Sequence, residues 1–230
     1  MRWIRSRTAT ILLCVVLGGA ASEFGWGAYI YAKAQVGQWL IARAWATSLQ
    51  THKPVKPWAW ADTFPIGRLV VKELGVDQYV LSGASGRTLA FGPGHYAGTV
   101  DPGDKGRAVF AGHRDTHFLF LKDVQVGQVI DFQERTGTWQ HFVVEAMVIM
   151  DVNDEHLLLE AETPELALIT CYPFHSIVPG GPLRYIVYAT QQRVPRGHNS
   201  GDTIPISHPL NSAKNRYCVP RIISYTRPTD

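Results

Sequence analysis

The chain has 230 residues, 46% of them apolar and 11% aromatic, enough for one domain with a sizeable core and additional segments at either end. Lys and Arg number 22 against 19 Asp and Glu, a net charge of +3 with the cations scattered, so the electrostatic footprint of a nucleic-acid binder is missing and that class is set aside. Of the three cysteines, Cys14 lies in an apolar run without a plausible partner. A Cys171–Cys218 disulfide is formally open to an exported domain, but it would remove the best candidate nucleophile and is not expected.

Arg2, Arg5 and Arg7 lead into an apolar run from Thr8 to Ala21, a pause at Ser22-Glu23, and a second run through Phe24 to Tyr31. Taken together, residues 8–31 reach the roughly 20 residues that a spanning helix needs, with Trp26, Tyr29 and Tyr31 where an interfacial belt would sit. The arginines then keep residues 1–7 in the cytoplasm. Gly19 and Ala21 also satisfy a signal-peptide cleavage site, but Glu23 is the only charge before Lys33 and an uncleaved anchor is the expectation. From Ala32 to Leu49, Val36, Leu40, Ile41, Ala44 and Trp45 recur at helical spacing, which predicts an amphipathic stalk helix. Pro54, Pro57 and Pro65 then forbid a helix, so residues 50–65 read as a linker, closing a stalk-and-linker unit at 66, with Trp58 and Trp60 available to dock it.

Residues 67–190 alternate between strand-forming stretches and glycine-bearing turns. Strands are expected at 67–74, 76–81, 87–91, 107–113, 128–133, 139–150, 166–171 and 183–190, with short helical turns at 118–124 and 154–159. Many short strands with turn signals between them describe an all-β barrel or sandwich. From Gln191 the composition turns polar and proline-bearing without a clear period, and residues 191–230 read as a flexible tail.

Three positions in this domain carry chemistry. Cys171 ends the run Leu166-Ala-Leu-Ile-Thr-Cys and is cut off two residues later by Pro173; His113 ends Ala108-Val-Phe-Ala-Gly-His; Arg184 enters Leu183-Arg-Tyr-Ile-Val-Tyr. A thiol, an imidazole and a guanidinium at three strand ends provide a nucleophile, a proton carrier and a cation for acyl transfer. A free thiol with a pKa of about 8.5 is mostly protonated at neutral pH, so activity that depends on a thiolate and an imidazolium together should follow a bell-shaped pH profile. Arginine cannot act as a base, but its fork suits substrate carbonyls or a developing oxyanion. His113, Asp115 and His117 would share one face of an extended strand and invite a metal; the stretch is expected to leave the strand after His113, so no metal and no cofactor are expected.

The order His113, Cys171, Arg184, with Leu168-Ile169-Thr170-Cys171 around the thiol, resembles the sortases, membrane-anchored cysteine transpeptidases. The strings Gly112-His-Arg-Asp-Thr-His117, Thr170-Cys-Tyr-Pro-Phe174, Pro179-Gly-Gly-Pro-Leu-Arg-Tyr185 and Lys56-Pro-Trp-Ala-Trp-Ala-Asp62 resemble the class GN group of Gram-negative proteobacteria. The resemblance covers roughly residues 1–190 and implies an eight-stranded β-barrel facing the periplasm from a single-pass inner-membrane anchor. It further implies cleavage of a Leu-Pro-x-Thr-Gly sorting signal in an exported protein, through a thioester on Cys171, and transfer to an amine. Of the substrate-binding residues, Thr170 is expected to orient the oxyanion region through its backbone or hydroxyl, Asp115 to orient His113 or line the groove, and Tyr172 and Phe174 to wall a groove for an extended peptide. Two other readings are a cysteine hydrolase acting on the same kind of bond and a membrane-tethered binding domain without chemistry. A papain-like hydrolase would carry its cysteine ahead of its histidine, the reverse of the order here.

Overall fold

The structure, a computed structural model, describes residues 2–154, 156–176 and 180–192. One 50-residue helix, α1 (Arg2–Thr51), precedes the barrel. The two helices expected on either side of Ala32 are therefore one: neither Ser22-Glu23 nor Ala32-Lys33 carries a proline or a capping sequence able to stop the hydrogen-bond ladder. From Leu12 to Val36 every side chain is exposed, and this half is long and apolar enough to cross a membrane. Further along, Gly37, Ile41, Ala44, Trp45 and Ser48 are buried, a spacing of four, three, one and three residues that defines one helical face against the barrel. The helix ends where His52 takes a left-handed φ of 54°.

The linker after it is docked. Trp58 packs on Phe91 with ring centroids 5.1 Å apart, and Thr63 donates from Oγ1 to the Ser82 carbonyl at 2.7 Å. Trp60, by contrast, is 85% exposed.

Eight strands follow: β1 (Pro65–Val71), β2 (Val76–Ser82), β3 (Gly94–His95), β4 (Gly106–Ala111), β5 (Val129–Glu134), β6 (Trp139–Asp151), β7 (Pro164–Cys171) and β8 (Leu183–Gln191). They close into a barrel in the order β1-β2-β3-β4-β7-β8-β6-β5, with β2–β3 and β4–β7 parallel and the other neighbours antiparallel. Closure leaves no free edge. Alternation along each strand sends Leu69, Val80, Ala108, Phe110, Ile130, Phe132, Leu166, Leu168, Val187 and Ala189 inward to one core.

Three expectations need correction. Residues 87–91 are not a strand: Gly86–Leu89 form a helical turn, α2, capped by the Ser85 hydroxyl, which accepts from the Thr88 N–H at 3.3 Å. The strand that takes the vacant place in the barrel is the two-residue β3, too short to show a period. The first strand also runs earlier than expected, because Lys72–Leu74 form a 3₁₀ turn that Gly75 ends at φ 64°. Leu119–Asp123 form the expected turn, whereas residues 156–160 are not helical. The tail beyond Gln192 lies outside the described residues.

Candidate functional site

Strand register brings the three chemical residues together. β7 and β8 are antiparallel, and Cys171, the last residue of β7, is paired directly with Arg184. β4 and β7 run parallel, with Ala111 opposite Ile169, and the pairing continues beyond the strand end as the Gly112 N–H donates to the Ile169 carbonyl at 3.1 Å. His113 follows Gly112 directly, so it leaves β4 at the same end of the barrel where β7 ends in Cys171.

Alternation decides which way they face. Thr170 and Tyr185 belong to the inward set with Leu168 and Val187, so Cys171 and Arg184 lie on the outer face of β7 and β8. That outer face is apolar: Val109, Ala167, Ile186 and Tyr188 form a second cluster there, with Met150, Leu157 and Ile169 against it. The thiol and guanidinium thus stand at the open end of a covered apolar face.

Each candidate has a definite place. Cys171 carries a free thiol and is half-buried; His113 is exposed. Arg184 donates from Nη1 to the carbonyls of Gly181 at 2.6 Å and Leu183 at 2.9 Å, which fixes the end of the β7–β8 loop and leaves the rest of its fork for a ligand. Thr170 is 2% exposed and donates from Oγ1 to the Gly112 carbonyl at 2.8 Å. Its hydroxyl reaches across to the residue just after β4, away from the open end at Cys171. Asp115 is exposed on the turn after His113, where the Phe118 N–H donates back to the His113 carbonyl at 2.9 Å. The chain has left the strand there, so His113, Asp115 and His117 do not share a strand face. Among the described residues no three His, Cys, Asp or Glu side chains are grouped to hold a metal ion.

Tyr172 and Phe174 meet in a trio with Tyr185, with centroids 6.2 Å apart for Tyr172–Phe174, 6.2 Å for Tyr172–Tyr185 and 5.2 Å for Phe174–Tyr185. Burial, with Tyr172 beside it, pushes the Tyr185 phenol above its ordinary value. Burial also pushes the His117 ring below its ordinary range; the nearby His113 acts the same way, while a bond to the Ala90 backbone and the Asp115 charge oppose it.

Several contributors escape sequence reasoning. Gly112 is obligatory, since a Cβ there would lie 2.6 Å from the buried Phe118 ring, and Phe118 in turn anchors the loop that carries His113. Arg114 donates from Nη2 to the Ser176 carbonyl at 2.6 Å and ties the loop after His113 to the loop after Cys171. Arg107, on the outer face, bonds Glu165 through Nε at 3.0 Å and Nη2 at 2.7 Å, lies 4.7 Å from the Tyr188 ring centroid and holds the Leu158 carbonyl, securing the β6–β7 loop along the groove. Only the position of Tyr185 immediately after Arg184, hence on the opposite face, was open to inference.

A closed mixed barrel with a strand-end thiol facing an arginine defines the class of fold and site. A family model of the sortase domain matches residues 69–192. Sortase D of Bacillus subtilis (strain 168) is 30% identical over 122 residues, 53% of this chain and 61% of that protein, so the chain spans less than two thirds of that relative. Among solved structures, sortase A from Corynebacterium diphtheriae is similar at 25% identity and a TM-score of 0.53, covering 60% of this chain and 66% of that one. A Clostridium perfringens Sortase D5 transpeptidase superposes at a TM-score of 0.56 and 19% identity over 69% of this chain and 99% of that one, a likeness of fold. The chain belongs to the sortase family.

Proposed function

We propose that this chain is a membrane-anchored cysteine transpeptidase of the class GN type, with Cys171 as nucleophile, His113 as proton carrier and Arg184 as the cation that holds the reacting carbonyl. What supports the reading is the register that pairs Cys171 with Arg184, together with the Gly112–Ile169 bond that brings the residue before His113 alongside β7. The Cys171 thiolate attacks the Thr carbonyl of a Leu-Pro-x-Thr-Gly segment; the Thr–Gly bond breaks, the glycine amine leaves with a proton from His113, and the acyl part stays on sulfur as a thioester. An incoming amine then attacks the thioester, gives its proton to His113, and releases the thiolate.

Within this reading Thr170 positions His113 through Gly112, Tyr172 and Phe174 wall the groove, and Asp115 lines its mouth. The domain plan is a cytoplasmic 1–7, an anchor at 8–31, a stalk and linker at 32–66, a catalytic barrel at 67–190 and a tail at 191–230. The anchor would sit in the inner membrane with the barrel in the periplasm. The substrate would be an exported protein with a C-terminal sorting signal, and the acceptor an amine. Incubating the purified protein with a Leu-Pro-x-Thr-Gly peptide and an amine tests it: a Thr–amine product is expected, and cleavage at another bond or none would reject the reading.

A further inference from the structure

The direction of α1 along the barrel says which end of the barrel looks toward the exposed apolar half of the helix. Trp45 packs on Tyr79 in the middle of β2, with ring centroids 6.4 Å apart. Seven residues later, the His52 Nδ1 lies 3.3 Å from the carbonyl of Arg135 in the β5–β6 hairpin. That hairpin is level with the end of β2, since Glu134 pairs with Gly67 and Gly67 with Val80. In the other direction, Gln38 donates to the Phe91 carbonyl at 2.6 Å, and a cavity of about 350 Å³ is shared by Gln35, Gln38 and Trp39 of α1 with Asp77, Gln78 and His117 of the barrel.

So α1 runs in the same direction as β2. β3 is parallel to β2 and β4 is antiparallel to β3, so β4 and its parallel neighbour β7 run opposite to α1. The ends of β4 and β7, where His113 and Cys171 sit, therefore point toward the N-terminal half of the helix. His117, four residues after His113, confirms this by facing α1 at residues 35–39.

The mount is also short and stiff. The helix is continuous from the exposed half to the docked half, and its first buried residue, Gly37, has the Phe91 ring 3.2 Å from where a Cβ would stand. Six residues separate Tyr31 from Gly37, about 9 Å at 1.5 Å per residue, against a headgroup layer about 6 Å deep on each side of a bilayer. Trp45, Ile41 and Ala44, all under 5% exposed, leave little room for the barrel to pivot.

We infer that α1 is a rigid mount that holds the Cys171–His113 end of the barrel against the membrane surface, so that the enzyme acts on a substrate still held in the same bilayer, at a height fixed by the helix. This rests on the reading of residues 8–31 as an anchor. A soluble tether would let the barrel turn its site to any direction; a continuous helix docked along β1 and β2 does not.

The test uses the full chain with Cys14, Cys171 and Cys218 changed to Ala, reconstituted in phosphatidylethanolamine–phosphatidylglycerol vesicles that carry a headgroup-attached quencher. A fluorophore is placed at Thr116→Cys, in the loop after His113, or at Thr136→Cys, in the β5–β6 hairpin. The two ends of the barrel are roughly 20 Å apart at 3.3 Å per strand residue, so the Thr116→Cys label should be quenched at least about twofold more strongly. A seven-residue helical insertion after Tyr31, lifting the barrel by about 10 Å with little rotation, should weaken quenching at both positions and keep their order. Equal or reversed quenching in vesicle-bound protein overturns the mount while leaving the anchor standing. Protein that fails to stay with the vesicles overturns the anchor and the mount together.

Discussion

Two walls of one barrel are both covered but end differently. Against β1 and β2, a helix face of Ile41, Ala44, Trp45 and Ser48 is sealed to under 5% exposure. On the outer face of β4, β7 and β8, Val109, Ala167, Ile186 and Tyr188 are buried too, with Leu157 of the β6–β7 loop packed on them and that loop pinned through Arg107, but the end of this wall is open at the half-buried Cys171 and Arg184 and the exposed His113. Burying apolar surface stabilises by about 25 cal/mol per Å², so both walls gain by being covered, and the second differs in that its strand ends stay accessible at a thiol, a guanidinium and an imidazole. The open end of the second wall is where a ligand can reach the thiol, while the first wall carries the helix.

The comparison can be broken at either wall. The largest effect belongs to the open one. Arg184→Lys should lower peptide turnover by about a hundredfold, because an ammonium on a flexible stem cannot replace a fork that fixes the loop at Gly181 and Leu183 and, in the proposed role, also holds the reacting carbonyl. Alkylation of Cys171 by a small reagent, measured beside turnover, should stay near the wild-type rate; its loss together with turnover would point to a collapsed site.

At the sealed wall, Trp45→Ala should cost about 3 kcal/mol of stability in denaturant unfolding, since it empties a buried site between the helix and Tyr79. Cleavage of a soluble peptide, measured where the barrel is still folded, should be near normal. A proportionate loss of turnover would mean that the two walls are not separate in function.

Between the walls, Thr170→Val keeps the side chain's shape but leaves the buried Gly112 carbonyl without its donor, at a cost of about 1–2 kcal/mol. Turnover should fall more than alkylation does, because the change loosens the strand end that carries His113. Equal falls would make Thr170 a packing residue only.

The smallest effect is on pH dependence. Burial lowers the His117 pKa in the folded chain below its value of about 6.5 in the unfolded one, so as pH falls the unfolded state takes up the proton first. Its contribution to stability is therefore complete above that value and shrinks as pH drops through the interval down to the folded-state pKa. His117→Gln should flatten the stability profile in that window, and an unchanged slope would assign it to other groups.

What the sequence shows of this architecture divides along physical lines. Seven of the strands are legible to within a few residues, because each runs six residues or more and glycines at Gly75, Gly127 and Gly137 mark turns that need positive φ. β3 has too few residues to alternate, and residues 87–91 read as strand because Thr, Leu and Phe are good strand formers while the Ser85 cap makes a helical turn locally cheaper. The join at Ala32 fails as a boundary because an amphipathic pattern following an apolar one marks a change of surroundings for a helix, not its end. Within the site, Cys171, His113 and Arg184 stand out because each closes or opens a strand in a telling context. The bonds of Thr170 to Gly112 and of Arg107 to Glu165 span 58 residues each and exist only once β4 and β7 are in register, so no local pattern could contain them.

The most direct test of the central claim is the mass of the intact protein trapped during turnover of a Leu-Pro-x-Thr-Gly peptide. The account predicts an added mass equal to the acyl fragment ending in Thr, located on Cys171, released by hydroxylamine and lost in Cys171→Ala. Turnover that survives Cys171→Ala, or an adduct on any other residue, would contradict it.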